Sequence, residues 1–247
     1  MADDVRIESV GELPGFLLEF SDFNPGWFRG HSNSAWELVP SFYRTAKSLD
    51  EQFILKKFKQ QANLLLDRVP LSDFDWLFWM QHYGVPTRLL DWTESPLAAL
   101  YFAVEDETSD DYDGAVWVFD PVCSNKDNNN FDGEEFFLPS FEDEILKNYS
   151  PGTYAAESRS LLNPMAAIAT RNNPRIQAQL GVFTIFHRDG GPLERKANAK
   201  DWSKKVLIPK ENKKEIRSQL SILRIDRFSM FPELSSVGQN IREEFGA

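Results

Sequence analysis

Residues 80 to 103, MQHYGVPTRLLDWTESPLAALYFA, set Gln81, His82, Thr87, Arg88, Asp91, Thr93 and Ser95 among Trp, Leu and Phe. A buried polar group costs free energy unless it finds a partner. So many in one short apolar run make either an internal network or a site. His82 closes a segment that reads as a buried helix. It could serve as a general acid or base; the plainer reading has it donate to a carbonyl and pack. Asp91 lies in an apolar extended stretch and needs a cation if buried, with Arg88 and Arg29 the natural ones. Ser95 before Pro96 makes an N-cap followed by an N1 proline. The amides there could also hold an anion.

A second group comes earlier, in WFRGHS. Arg29 sits between aromatic residues and Gly30. On a strand it would be desolvated on one side, and its planar fork suits bidentate capture of phosphate or carboxylate. Gly30 would let a ligand or another backbone approach closely; His31 follows it on the same candidate strand. The alternative is that Arg29 pairs internally with Asp91. Gln177 and Gln179, in NPRIQAQLGVFTIF, stand just before a strand. Their plain reading is a helix C-terminus stopped by Gly181.

Metal chemistry has little to work with. His31, His82 and His187 are far apart, the chain has one cysteine, Cys123, and no zinc-ligand spacing occurs. No phosphate-loop, dinucleotide-fingerprint or nucleophile-elbow pattern is present. The net charge of −11 disfavours a surface that coats nucleic acid or anionic membrane. The lysines between 196 and 214 read as a solvated face. One cysteine fits a reducing compartment, and the acidic start lacks a signal-length apolar run, so a soluble cytoplasmic protein is expected.

The elements that must position these groups alternate irregularly. At 247 residues, 42% of them apolar, the chain can bury a sizeable core. Helices are expected over LPGFLLEF, after the capping-box pattern Ser48–Glu51, over LSDFDWLFWMQHYG with Gly84 ending it, and from Pro96 onward. Strands are expected over GWFRGHS, VPTRLLDW, GAVWVFD, LGVFTIF and KVLIP. Residues 121–135 read as a polar loop, SRSLLNPMAAIATR as a helix broken at Pro164, KENKKEIRSQLSIL as an exposed helix, and FPELSSVGQNIREEF as a last helix. The expected fold is α+β: one compact domain over 1–247, with a short-stranded mixed or antiparallel sheet surrounded by helices.

The stretches WFRGHSNSAWELVPSFYR, MQHYGVPTRLLDWTESPLAALYFA, NPRIQAQLGVFTIF, KKVLIPKENKKEIRSQL and FSMFPEL resemble the FRG domain, named for its aromatic-Arg-Gly motif. The resemblance spans about 20–240. Members of that family occur in bacteria and phages, some in defence settings. A second resemblance is to Arg-Ser-Glu ADP-ribosyltransferases, which implies an ADP-ribosyltransferase-like sheet and a nicotinamide dinucleotide (NAD) as substrate. Under it Arg29 matches the dinucleotide-binding Arg, with Gly30, His31 and Arg88 beside it, and Thr93 and Ser95 match the Ser-Thr-Ser element. The family's Glu is the departure. VLIP is preceded by Lys204 and Lys205, and Gln179 precedes GVFTIF. A Gln can bond a ribose hydroxyl but cannot offset developing positive charge as a carboxylate does. Catalysis would then rest on another acid such as Asp91, with His82 handling protons. The alternative is a non-catalytic module that binds a nucleotide or a protein partner.

Overall fold

Six strands, β1 (Trp27–His31), β2 (Leu89–Thr93), β3 (Gly114–Phe119), β4 (Met165–Ala167), β5 (Gly181–Ile185) and β6 (Ser203–Ile208), form one sheet in the order 4-5-2-1-3-6. Every neighbouring pair is antiparallel. The computed structural model describes residues 5–246 except 21, 24–25, 46–49, 67–68, 130–137, 157–160 and 172. The helices are α1 (Leu13–Glu19), α2 (Glu51–Ala62), α3 (Asp73–His82), α4 (Pro96–Val104), α5 (Pro121–Asn129), α6 (Pro151–Ala156), α7 (Pro174–Ala178), α8 (Ala199–Trp202), α9 (Lys213–Ile222), α10 (Arg227–Met230) and α11 (Leu234–Phe245). The fold is therefore α+β around a six-stranded antiparallel sheet.

Alternation along the strands divides the core into layers. Phe28, Val116, Val118, Val206 and Ile208 meet Ala99, Leu100, Ala103 and Val104 of α4, with Ile216 and Leu220 of α9 beyond. Leu89, Phe183 and Ile185 meet Phe74, Leu77 and Phe78 of α3. Trp27, Leu90, Trp92, Trp117 and Phe119 point the other way, onto Trp202 and Phe186. One set of helices thus covers the β5–β2 half of a face and another the β1–β3–β6 half. Asp91 stands between the two.

Local signals account for most helix starts. Ser72 and Asp75 close a capping box on α3, and Gly84, at φ 73°, follows its C-cap. Ser95 accepts from the Ala98 amide at 3.2 Å, which caps α4 as expected. At α2 the cap is Asp50, accepting from Phe53 N at 3.0 Å; Ser48 lies outside the described residues. Glu51 does not reach back to the helix start but turns into the core, where Arg88 holds it.

Two expectations fail for tertiary reasons. Residues 121–129 of the expected polar loop are helix α5, started by Asp120, which accepts from Cys123 N at 2.8 Å. The helix expected over SRSLLNPMAAIATR contains strand β4 instead. One contact links the two segments. Asn125 is fully buried and its carboxamide brackets Ala166, donating to the carbonyl at 2.9 Å and accepting from the amide at 2.8 Å. A side chain on α5 thereby takes the place of a neighbouring strand along the outer edge of β4.

The lysine run is also not all solvated. Lys213 is fully buried, and its amine donates to the carbonyls of Ser32 and Ser109, each at 2.8 Å. That ties α9, whose face toward α4 is buried rather than exposed, to the end of β1.

Candidate functional site

β1 and β2 share a single register pair, Phe28↔Thr93, whereas β1 with β3 and β2 with β5 pair along their whole lengths. Past that pair the two strands part. A cleft of about 410 Å³ lies there, lined from β1 by Arg29, Gly30 and His31 and from β2 by Asp91, Trp92 and Thr93. Its remaining walls include Trp36, Arg44, Phe102, Glu105, Arg175 and Gln179.

Arg29 is anchored on both sides of the gap. Its Nε donates to His31 Nε2 at 3.0 Å, and its Nη1 donates to the Asp91 carbonyl at 2.6 Å and to Asp91 Oδ2 at 3.1 Å. The guanidinium therefore takes up a backbone acceptor that the strand ladder leaves unpaired. Arg29 thus makes the internal pair with Asp91, the alternative reading, and it also lines the cleft. Asp91 is 52% exposed on its side chain, so this is not the buried pair that an apolar strand suggests. Gln81 donates to the second Asp91 oxygen and accepts from the Thr87 hydroxyl.

His31 accepts from Arg29, so it is held as a neutral imidazole. Burial first, then the Arg29 charge, depress its pKa to about 2, against a contrary backbone bond at Trp36. The sign for stability follows. Below about pH 6.5 the unfolded chain takes up a proton that the native state refuses until near pH 2, so stability falls as pH falls through that window. Each such histidine contributes about 1.4 kcal/mol per pH unit there. Between pH 7 and 5, wild type is expected to lose about 2 kcal/mol more than His31→Gln in urea unfolding; parallel losses would show that His31 titrates normally.

His82 lies in an adjoining cavity that shares Asp91, Trp92, Arg175 and Gln179 with the cleft. Its Nε2 is 3.2 Å from Glu233 Oε1. Burial, then Arg175, lowers its pKa, with Glu233 opposing. The ring is thus neutral near neutral pH, and its contact with Glu233 is not an ion pair there. Arg29 and Asp91 therefore line the cleft, while His82 lines only the adjoining cavity, which Asp91 also borders.

The other sequence candidates separate. Arg88 does not reach the cleft. It is fully buried, bound to Glu51 and to the carbonyls of Phe186 and Tyr149. Gly30 admits a backbone rather than a ligand: a Cβ there would stand 2.0 Å from the Ala99 oxygen and 2.6 Å from the Ala103 nitrogen. Thr93 lines the cleft, but its hydroxyl donates to the Gln179 carbonyl and accepts from Ser95 N at 2.9 Å. Ser95 is a helix cap. Gln179 is the C-cap of α7; the left-handed residue after it is Leu180, at φ 47°, one position before Gly181. The Gln179 carboxamide donates to the Met230 carbonyl at 3.0 Å.

Arg44, Arg175, Trp36 and Glu105 were missed from sequence. Arg175 had a signal. A cation in the first turn of a helix opposes the helix dipole, and Arg175 directly follows Pro174 at the start of α7. Its guanidinium lies 4.4 Å from the Phe231 ring, donates to the His82 carbonyl at 3.2 Å, and has its pKa lowered mainly by burial. The FSMFPEL segment thereby braces the cleft wall: Phe231 carries Arg175 and meets Phe102 edge-on, while Met230 holds Gln179. Among the described residues, no group of three or more His, Cys, Asp or Glu could hold a metal ion, and no helix is long and apolar enough to cross a membrane.

The class defined by this geometry is an α+β protein with a ligand-sized polar cleft where two central strands part. Residues 24–112 match the family model of the FRG domain, a span that includes Phe28-Arg29-Gly30, α3, β2 and α4. That supports the FRG resemblance over those residues. No curated protein and no solved structure matches the chain.

Proposed function

We propose that the cleft between β1 and β2 binds a nicotinamide dinucleotide and transfers or hydrolyses its ADP-ribosyl group, in the manner of an ADP-ribosyltransferase. One observation carries this reading: three guanidiniums, Arg29, Arg44 and Arg175, line one cleft of an otherwise acidic chain. Arg29 answers Asp91, but neither Arg44 nor Arg175 is in an ion pair among the described residues. Asp91 acts on Arg44, and Asp91, Glu233 and Glu105 act on Arg175, only from beyond ion-pair distance, so a diphosphate would add the direct charge-assisted, forked hydrogen bonds that neither guanidinium has from a carboxylate. Trp36 and Phe102 offer apolar walls for planar rings. A volume near 410 Å³ falls inside the range of roughly 300–1,000 Å³ usual for small-molecule sites.

Arg175→Ala is the test of binding. Dinucleotide affinity by calorimetry should fall by about 1.5–3 kcal/mol, the worth of hydrogen bonds to a charged group. Unchanged affinity would remove Arg175 from the site.

A second reading, a non-catalytic module that binds a nucleotide or a protein, has an observation of its own. The Thr93 hydroxyl, the Ser95 hydroxyl and the Gln179 carboxamide are all engaged within the fold. Binding without nicotinamide release would favour it.

A further inference from the structure

Three carboxylates line the cleft: Asp91, Glu105 and Asp106. Two are committed. Asp91 has one oxygen held by Arg29 and the other by Gln81. Asp106 caps the short helical turn at Glu107–Ser109: one oxygen accepts from the Thr108 amide and hydroxyl, the other from the Ser109 hydroxyl at 2.8 Å. Glu105 differs. It ends α4 and takes a hydrogen bond from Tyr101, and it is in no ion pair among the described residues.

We infer that Glu105 is the catalytic carboxylate of this site, acting on the glycosidic bond of the dinucleotide, an inference that rests on the function proposed above. The bond between the ribose C1′ and the nicotinamide ring nitrogen breaks. The nitrogen keeps both electrons, so nicotinamide leaves neutral. Positive charge grows on the ribose, and the Glu105 carboxylate offsets it. A water, or an acceptor hydroxyl, forms the new bond to C1′ and gives its proton to Glu105. With water, the products are ADP-ribose, nicotinamide and one proton, which Glu105 returns to solvent.

The surroundings suit that role. Burial raises the Glu105 pKa, while the Tyr101 bond and the charges of Arg227 and Arg175 pull it back. A carboxylate in this setting is poorly solvated, available as a proton acceptor, and lines the same cleft as the guanidiniums that would hold the diphosphate, with the Arg175 charge among those acting on it. Gln179 and Asp91 need not supply the acid.

The experiment follows nicotinamide release and dinucleotide binding in wild type and Glu105→Gln, a near-isosteric change. Glu105→Gln is expected to bind with unchanged Kd and to release nicotinamide about 100-fold more slowly or worse, the usual loss for a proton-transfer or charge-stabilising group. Release at the wild-type rate overturns the role of Glu105 and leaves the dinucleotide site standing. Wild type that binds without releasing also overturns it. Wild type that neither binds nor releases removes the proposed function itself. Should Glu105→Gln melt below wild type, Glu105→Ala with added formate takes its place. Recovery of release with formate supports the role, and no recovery overturns it.

Discussion

Arg88→Ala is expected to destabilise the protein by about 3–5 kcal/mol, the cost of leaving one partner of a buried ion pair behind. Arg88 has no exposed surface. Its Nε donates to Glu51 Oε2 at 2.9 Å, Nη1 to the Phe186 carbonyl at 2.6 Å and Nη2 to the Tyr149 carbonyl at 2.6 Å. The Tyr154 ring lies 4.1 Å from the guanidinium carbon. Truncation would strand a buried carboxylate and two carbonyls whose alternative partner, water, is excluded. Glu51 already has one oxygen without a hydrogen-bond partner, so it has no second donor to fall back on. The double change Arg88→Met with Glu51→Leu should recover part of the loss, since an apolar replacement of both partners can be near neutral. Urea unfolding midpoints measure this. An Arg88→Ala midpoint equal to wild type would mean that the pair is open to water.

Gly30→Ala should cost about 3 kcal/mol, at the upper end of what overpacking usually does. The added methyl would meet backbone, not a flexible side chain: the Ala99 oxygen at 2.0 Å and the Ala103 nitrogen at 2.6 Å. Helix α4 would have to lift from β1. Gly114, whose Cβ would stand 2.7 Å from the Ala103 oxygen, sits under the same helix and gives the change no room. Because Arg29 precedes Gly30, displacement of β1 should disturb the cleft as well. A Gly30→Ala protein that melts with wild type would show that α4 does not seat on the strand. The glycine of the aromatic-Arg-Gly motif is therefore a packing residue, and the arginine beside it is the one that faces the cleft.

Local chemistry made much of the fold legible. Ser95-Pro96 announced α4, Gly84 marked the end of α3, the apolar run GAVWVF marked β3, and the strand-like pattern of LGVFTIF marked β5. What escaped is what depends on distant partners. β4 is three residues long, and its outer edge is held by Asn125, 41 positions from Ala166. Glu51 looked like a capping residue because its true partner, Arg88, stands 37 positions away. The same distance hid the difference between Arg29 and Arg88. Both sit among apolar residues, but Glu51 is present to bury one, and the parting of β1 from β2 opens the other to a cleft. Arg44 and Arg175 reach that cleft from separate segments, and no local pattern joins them.

On the proposed function, the parted strands hold a dinucleotide site with an acid of its own. Incubating the purified chain with nicotinamide dinucleotide and measuring free nicotinamide tests it most directly. Nicotinamide is expected to accumulate in proportion to protein and to fall away with Arg175→Ala. No nicotinamide from wild type, together with no heat of binding in calorimetry, would contradict the proposed function.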